Sequence, residues 1–383
     1  MKRTLVVTAG AILCAALWSA IPASAVTVWR VQQVPVPANA SVNLQAVSCP
    51  ATGVCFAVGY STQVGTTIQS TLAERWSGGR WAILATPSPG PGPVDQLTRL
   101  SCLSATDCMA IGGFSTQTGA SNLVEHWDGT SWTVLPSPNP VGTTVAGFTG
   151  VSCVSTTSCT AVGLYDTSGN RPHELPVAEH WNGANWTVQH VPLPAGVTTG
   201  SLSAVSCRSA TACIAVGSIA TPNQPSNTKP LAEQWNGTSW TARATPTPAG
   251  AYNPGFSDVS CTSHSQCTAV GGYLANGAES TLAERWDGTA WTTQSGVAPP
   301  GTGLSSVSCT SSVSCTAVGI TGAGTVTPVA DYWNGTSWTL QSMPVPHHST
   351  KDVAMFGVSC RSATTCTAVG IYGRTAHPLA DHE

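Results

Sequence analysis

From residue 26 onward the chain consists of short stretches in which apolar and polar residues alternate. Val, Ile, Trp and Thr are prominent in them, and Gly, Pro, Asn and Ser fill the joints. The clearest copy predicts four strands: one ending in Leu202 to Cys207, one starting over Cys213 to Gly217, a third over Leu231 to Trp235 and a fourth starting at Trp240. No long stretch carries a helical period. The one continuous apolar run, Leu5 to Trp18, is of another kind, because Lys2 and Arg3 precede it and Pro22-Ala23-Ser24-Ala25 follows. A basic start, an apolar run too short to span a bilayer and a small-x-small end predict a secretory signal peptide over residues 1–25. The mature chain then begins at Val26 and keeps 358 of the 383 residues, with no further segment apolar enough to span a membrane. An uncleaved anchor is the competing reading and is disfavoured by length, and Leu13 stands where a lipoprotein site at Cys14 needs a small residue.

One stretch recurs: a Ser-Cys step, five residues, a second cysteine and a Val-Gly or Ile-Gly step shortly after. Its cysteine pairs are Cys49 and Cys55, Cys102 and Cys108, Cys153 and Cys159, Cys207 and Cys213, Cys261 and Cys267, Cys309 and Cys315, and Cys360 and Cys366. Successive first cysteines are 53, 51, 54, 54, 48 and 51 residues apart, the period of a repeat fold. Each of the first six copies is followed by two tryptophans five apart around a turn, as in Trp235-Asn236-Gly237-Thr238-Ser239-Trp240. With Cys14 removed, all fourteen remaining cysteines belong to these pairs. An exported chain with an even count at fixed spacing predicts disulfides closed within each copy. Zinc competes poorly, since each copy offers two sulfurs and no recurring histidine.

Four antiparallel strands per copy can stack as an open solenoid or close as a ring. The last copy stops at Pro378-Leu379-Ala380-Asp381-His382-Glu383, matching Pro230 to Trp235, and lacks a fourth strand. The segment Val26-Thr27-Val28-Trp29 with Val34-Pro35-Val36-Pro37 resembles Trp132 to Pro140, so the piece missing at one end stands at the other. The expectation is one closed all-β domain over residues 26–383, a seven-bladed β-propeller whose N-terminal strand completes the last blade and hides two sheet edges. The arrangement resembles the β-propeller superfamily over nearly the whole mature chain, and is similar to its secreted bacterial kelch and sialidase-like members. Gly112-Gly113 and Gly271-Gly272 resemble the glycine pair of kelch repeats, and Trp127-Asp128-Gly129-Thr130-Ser131-Trp132 resembles an Asp-box hairpin. The resemblance is architectural and carries no activity onto these residues.

Only 8% of residues are charged, with a net charge of -3 and no basic cluster, so neither nucleic acid nor a polybasic membrane contact is expected. A carboxylate recurs two residues before the first tryptophan position, at Glu74, Glu125, Glu179, Glu233, Glu284, Asp331 and Asp381. Chemistry happens at one site, so sevenfold recurrence predicts a structural role, each carboxylate taking hydrogen bonds from backbone, serine or indole donors inside its blade. The tryptophan pairs are expected to fill the core, with a sugar platform as the alternative. Asn185, Asn236 and Asn334 sit in glycosylation sequons that the turn chemistry of the tryptophan hairpins already explains.

Function is expected where the repetition breaks, on the face that carries the connections of variable length. The residues singled out there are Arg171, His173 and Glu174 within Asp166 to Leu175, Lys229 within Ile219 to Pro230, and His347, His348 and Asp352. No phosphate loop, nucleophile elbow or calcium loop is present, and neither a metal nor a cofactor is assigned. The expectation is a secreted, monomeric binding propeller, with the cell wall as one destination, whose ligand is a glycan, a cell-wall polymer or a protein. The alternative is an extracellular glycan hydrolase or lyase working at the mouth of the central channel, which calls for a carboxylate pair at hydrolase separation.

Overall fold

The computed structural model describes residues 29–167, 174–221, 224–295, 300–322, 326–346, 352–373 and 377–382. All regular structure among them is β-strand. In the fourth repeat Thr199–Ser209, Ala212–Thr221, Gln224–Trp235 and Trp240–Arg243 pair antiparallel in chain order. The second and third strands run further than the alternation predicts, with Ala220 opposite Thr228, because β-branched Ile219, Thr221 and Thr228 favour continuing the ladder. The same unit recurs along the chain, two copies being joined into an eight-stranded sheet by a bridge from Val145 to Ala120. The last sheet takes its outer strand from the start of the chain: Arg30–Gln32 pairs with His377–His382, Val31 opposite Asp381.

The first strand of each repeat lies innermost. Ala40–Ala51 contacts Asp95–Ser104, and the contact passes through Thr143–Ser155, Thr199–Ser209, Tyr252–Ser263, Thr302–Ser311 and Val353–Ser362 back to Ala40–Ala51. Hydrogen bonds follow the same circle and account for the recurring serine. Cys102, Cys153, Cys207, Cys261, Cys309 and Cys360 each donate a backbone N–H to the serine hydroxyl of the preceding repeat, Ser48, Ser101, Ser152, Ser206, Ser260 and Ser308, over 2.9–3.3 Å. Cys49 donates to Ser359 at 3.1 Å and completes the belt. All seven cysteine pairs are disulfides within their own repeat, with Cα atoms 3.9–4.0 Å apart. A loop this short gives each about 2 kcal/mol in the chain-entropy account.

The glycine that closes the motif has a cause in the innermost strand. Opposite Gly217 the register slips by one residue between Leu202 and Ala204, so that Ser203 bulges, and a Cβ on Gly217 would strike the carbonyl of Ser201. The same slip and the same approach recur at each repeat.

Both faces of each sheet are covered by neighbouring sheets, which is why consecutive residues such as Leu231, Ala232 and Glu233 are all buried. The paired tryptophans pack ring against ring at 5.5–5.8 Å, and the second of each pair is 3–5% exposed, so it fills the core. A glutamine three residues after one second tryptophan caps the next one around the ring. Trp240 donates its indole N–H to Gln189 at 2.8 Å, Trp338 to Gln294 at 3.0 Å, Trp29 to Gln341 at 3.2 Å and Trp81 to Gln32 at 2.8 Å. Trp29 and Gln32 thus stand in the seventh position of the series. Where Leu84, Leu135 or Arg243 replaces the glutamine, the indole N–H of Trp132, Trp186 or Trp291 is buried without a partner among the described residues. Leu84→Gln should therefore raise stability by about 1 kcal/mol and Gln189→Leu lower it by about 1–3 kcal/mol. Thermal unfolding of the two variants checks this, and shifts of the same sign would contradict it.

Candidate functional site

The recurring carboxylates are not part of any open site. Glu74, Glu125, Glu179, Glu233 and Glu284 are 0% exposed and Asp331 is 1% exposed, each on the third strand of its unit; the side chain of Asp381 lies outside the described residues. At Glu179 the expected donors are present. Glu179 accepts from the Ser137 hydroxyl at 2.8 Å and the Asn122 amide at 3.4 Å, both belonging to the preceding repeat and its connection. Both carboxylate oxygens of Glu74, Glu125, Glu233 and Glu284 have no donor among the described residues, which corrects the expectation of a bonded carboxylate in each blade. Burial without donors disfavours the charged form. It raises the pKa of Glu74, Glu233 and Glu284 to about 8, and that of Glu125 likewise to about 8 with help from the nearby Asp95. Burial raises that of Glu179 only to about 7, because the Ser137 and Asn122 bonds oppose the shift. Glu74, Glu125, Glu233 and Glu284 are therefore mainly protonated at neutral pH, packed between sheets.

The turn residues behave in the opposite way. Asn236 Oδ1 accepts from the N–H and hydroxyl of Thr238 and the N–H of Ser239 at 2.8–2.9 Å, the geometry that accounts for the sequon. In the equivalent turns, hydrogen bonds from Thr130 and Ser131 hold Asp128, and those from Thr289 and Ala290 hold Asp287, at a pKa of about 2.

The strongest departure from repetition lies on the innermost strands. Three residues before the first cysteine the repeats carry Ala46, Arg99, Gly150, Ala204, Asp258, Ser306 and Gly357. The small residues are required by packing, since a Cβ on Gly150 would lie 2.7 Å from the Cα of Ala204. Arg99 and Asp258 are the two charged exceptions. Asp258 accepts from the Ser306 hydroxyl at 2.7 Å and from the N–H groups of Val307 and Val259 at 2.9 and 2.8 Å. Burial raises its pKa, and the positive charge of Arg99 together with these bonds opposes the shift.

Beside Asp258 a cavity of about 310 Å³ opens between the fourth and fifth repeats, on the face of the variable connections. It exists because Ser218 and Gly272 stand where Tyr60, Leu164, Ile320 and Ile371 stand in other repeats, and because Gly255 adds no side chain. Its wall is fixed by bonds between repeats: the Thr228 N–H donates to Asn253 Oδ1 at 3.1 Å, and the Asn253 N–H to Asn227 Oδ1 at 2.9 Å. The hydroxyls of Ser218, Ser257 and Tyr273, the amide N–H₂ of Asn253 and the carboxylate of Glu279 all line or edge this space, and none has a side-chain bond among the described residues. A larger cavity of about 430 Å³ at the third repeat is lined chiefly by Pro140, Leu175, Pro176, Val188 and Leu193 and offers few polar groups.

The residues singled out from the sequence do not gather. Arg171, His173, His347 and His348 lie outside the described residues. Glu174 is half-buried and starts a strand, opposite Asp166, so it is not in a loop. Lys229 is exposed and paired with Ile219 on a strand, next to the cavity residue Thr228 but on the other side of the pleat. Asp352, in the seventh repeat, is half-buried with φ 64°. The cavity residues were legible only as exceptions: Gly271-Gly272 is one of two doubled glycines at this place in the repeat.

No family model matches the chain, and no curated protein matches it. Solved structures do. YCF48 from Cyanidioschyzon merolae aligns over 93% of this chain and 99% of its own at 15% identity, with a TM-score of 0.53. A protein of unknown function from Dyadobacter fermentans aligns over 92% of this chain and 98% of its own at 9% identity, with a TM-score of 0.52. A fucose-specific lectin from Aleuria aurantia aligns over 81% of this chain and 99% of its own at 11% identity, with a TM-score of 0.48. At these identities the likeness to the first two is one of fold, and the circle of four-stranded antiparallel units is that of a β-propeller.

Proposed function

We propose that this chain is a secreted, seven-bladed propeller that binds a saccharide in the cavity between its fourth and fifth repeats. The cavity carries the reading. It has the size of a small-ligand site, and it sets an aromatic ring, Tyr273, beside unspent hydroxyl, amide and carboxylate groups. A sugar presents an apolar C–H face and a rim of hydroxyls, and this pairing of groups satisfies both. The bonds between Asn227, Thr228, Asn253 and Pro254 hold the wall before any ligand arrives, which lowers the cost of binding. Seven blades are supported by the circle of serine and cysteine contacts and by the place of Trp29 in the indole series. Secretion is supported by the seven disulfides, which form in oxidising compartments.

Neutral oligosaccharides on a glycan array should bind the protein, and Glu279→Gln and Tyr273→Phe should each weaken the best of them about tenfold, the loss of one hydrogen bond in a partly dry site. Absence of any saccharide binding, or binding that both variants leave unchanged, would contradict the proposal.

A further inference from the structure

A second cavity, of about 300 Å³, lies on the opposite face, where the cysteine hairpins of the seventh and first repeats meet. The same place between the fourth and fifth repeats holds only about 10 Å³. Between the fifth and sixth it is filled by Arg285, which donates to the side chain of Gln266 at 2.6 Å. Thr365, a shorter side chain, stands where Gln266 does. Thr367 stands where Ile214 fills the seam between the fourth and fifth repeats; Thr268 holds that place between the fifth and sixth, where Arg285 does the filling. The opening is therefore a local property of the seam at which the chain's two ends meet.

Its unspent groups point to one chemistry. The indole N–H of Trp127, Trp181 and Trp235 donates to a carbonyl of the neighbouring cysteine loop, at Ala105, Thr156 and Ala210. Trp76, the equivalent residue in this cavity, donates to nothing among the described residues; so do Trp286 and Trp333, but those rings are buried, whereas Trp76 is half-buried and forms one wall with its N–H open to the cavity. The guanidinium of Arg361 faces the same space, exposed and without a carboxylate within ion-pair distance among the described residues. The hydroxyls of Thr52 and Thr365 complete the rim. We infer that this seam binds an acidic sugar unit, a pyranose ring carrying a carboxylate. The ring lies against Trp76, the carboxylate takes paired N–H donors from Arg361, and the ring hydroxyls meet Thr52 and Thr365. Arg presents a planar fork of donors that matches a carboxylate, and an indole face suits the C–H face of a sugar.

Titration calorimetry with D-glucuronate, D-glucose and acetate as probes tests this site apart from the saccharide cavity on the other face. D-Glucuronate should bind, D-glucose and acetate at least tenfold more weakly, and Arg361→Gln should cost glucuronate at least tenfold while Glu279→Gln leaves it unchanged. Arg361 makes no hydrogen bond within the protein among the described residues, so its replacement does not disturb the fold, and an unchanged melting temperature verifies that. Failure of glucuronate to bind, equal affinity for acetate, or indifference to Arg361→Gln would each overturn the inference. Loss of glucuronate binding in Glu279→Gln alone would also overturn it, by placing the sugar in the other cavity.

Discussion

Lowering the pH from 8 to 5 should raise the melting temperature of this protein, against the trend of most folded chains. In the unfolded chain a glutamate loses its proton near its ordinary value of 4.5, whereas Glu74, Glu125, Glu233 and Glu284 keep theirs in the folded state until about pH 8. Between those values the folded state binds more protons than the unfolded one, so stability falls as pH rises. The contribution is complete below pH 4.5 and is lost as the pH rises through about 8. The charged and polar neighbours are few: Asp95 facing Glu125, Arg243 acting weakly on Glu233, and Ser137 with Asn122 on Glu179. His180, whose pKa burial lowers, works in the opposite direction as a single half-buried group, and Asp128 and Asp287 act only below their ordinary value of 3.8. Denaturant unfolding at pH 5, 6, 7 and 8 should show the midpoint falling at each step. Glu125→Gln, a fixed neutral side chain of the same shape, should be the more stable form at pH 8 and flatten the profile. A flat profile in the unsubstituted protein would show that these carboxylates are solvated or paired after all.

Trp29→Ala should cost about 3–5 kcal/mol. Trp29 is 3% exposed and packs in one cluster with Met343, Val353, Met355 and Val358. Its indole N–H meets Gln341 of the sixth repeat, while Gln32, three residues on, accepts from Trp81 of the first. One short strand, Arg30–Gln32, therefore ties the start of the chain to its last sheet and to the repeats on either side. Truncating the ring removes the apolar contact, leaves a cavity and removes the indole donor to Gln341 Oε1. It also loosens the cover on the edge of His377–His382, an unpaired edge being a template for association between molecules.

The scaffold was legible because its determinants are local and repeated. A cysteine pair six positions apart across a hairpin needs no knowledge of the rest of the chain, and the matching of Pro378 to Glu383 with Pro230 to Trp235 disclosed which strand was missing. Contacts between repeats were not legible in that way. Whether Glu179 finds Ser137 while Glu233 finds no donor depends on which side chain the adjacent repeat happens to bring, and only the packed sheets decide it. The extent of the strands was underestimated for a related reason: Lys229 reads as a loop residue by its charge, but sits on a ladder held by its β-branched neighbours. Arg99 and Asp258 lie on first strands and not in the connections of variable length, so loop length does not mark them. Aligning the repeats at the position three before the first cysteine isolates both at once, as two charges in a series of Ala, Gly and Ser. Ser218 and Gly272, which open the saccharide cavity, carry the same kind of signal, a small residue where other repeats place Tyr, Leu or Ile.

Through Trp29 and the strand that follows it the chain closes on itself. Trp338 occupies the equivalent place one repeat earlier, 4% exposed and bonded to Gln294 at 3.0 Å, with no part in joining the two ends. The decisive measurement is the unfolding free energy of Trp29→Ala beside that of Trp338→Ala in the same denaturant series. Losses within about 1 kcal/mol of each other, both large, are the predicted result for a closed ring in which the two residues are equivalent. A negligible loss for Trp29→Ala next to a large one for Trp338→Ala would contradict closure and leave the last sheet without its fourth strand.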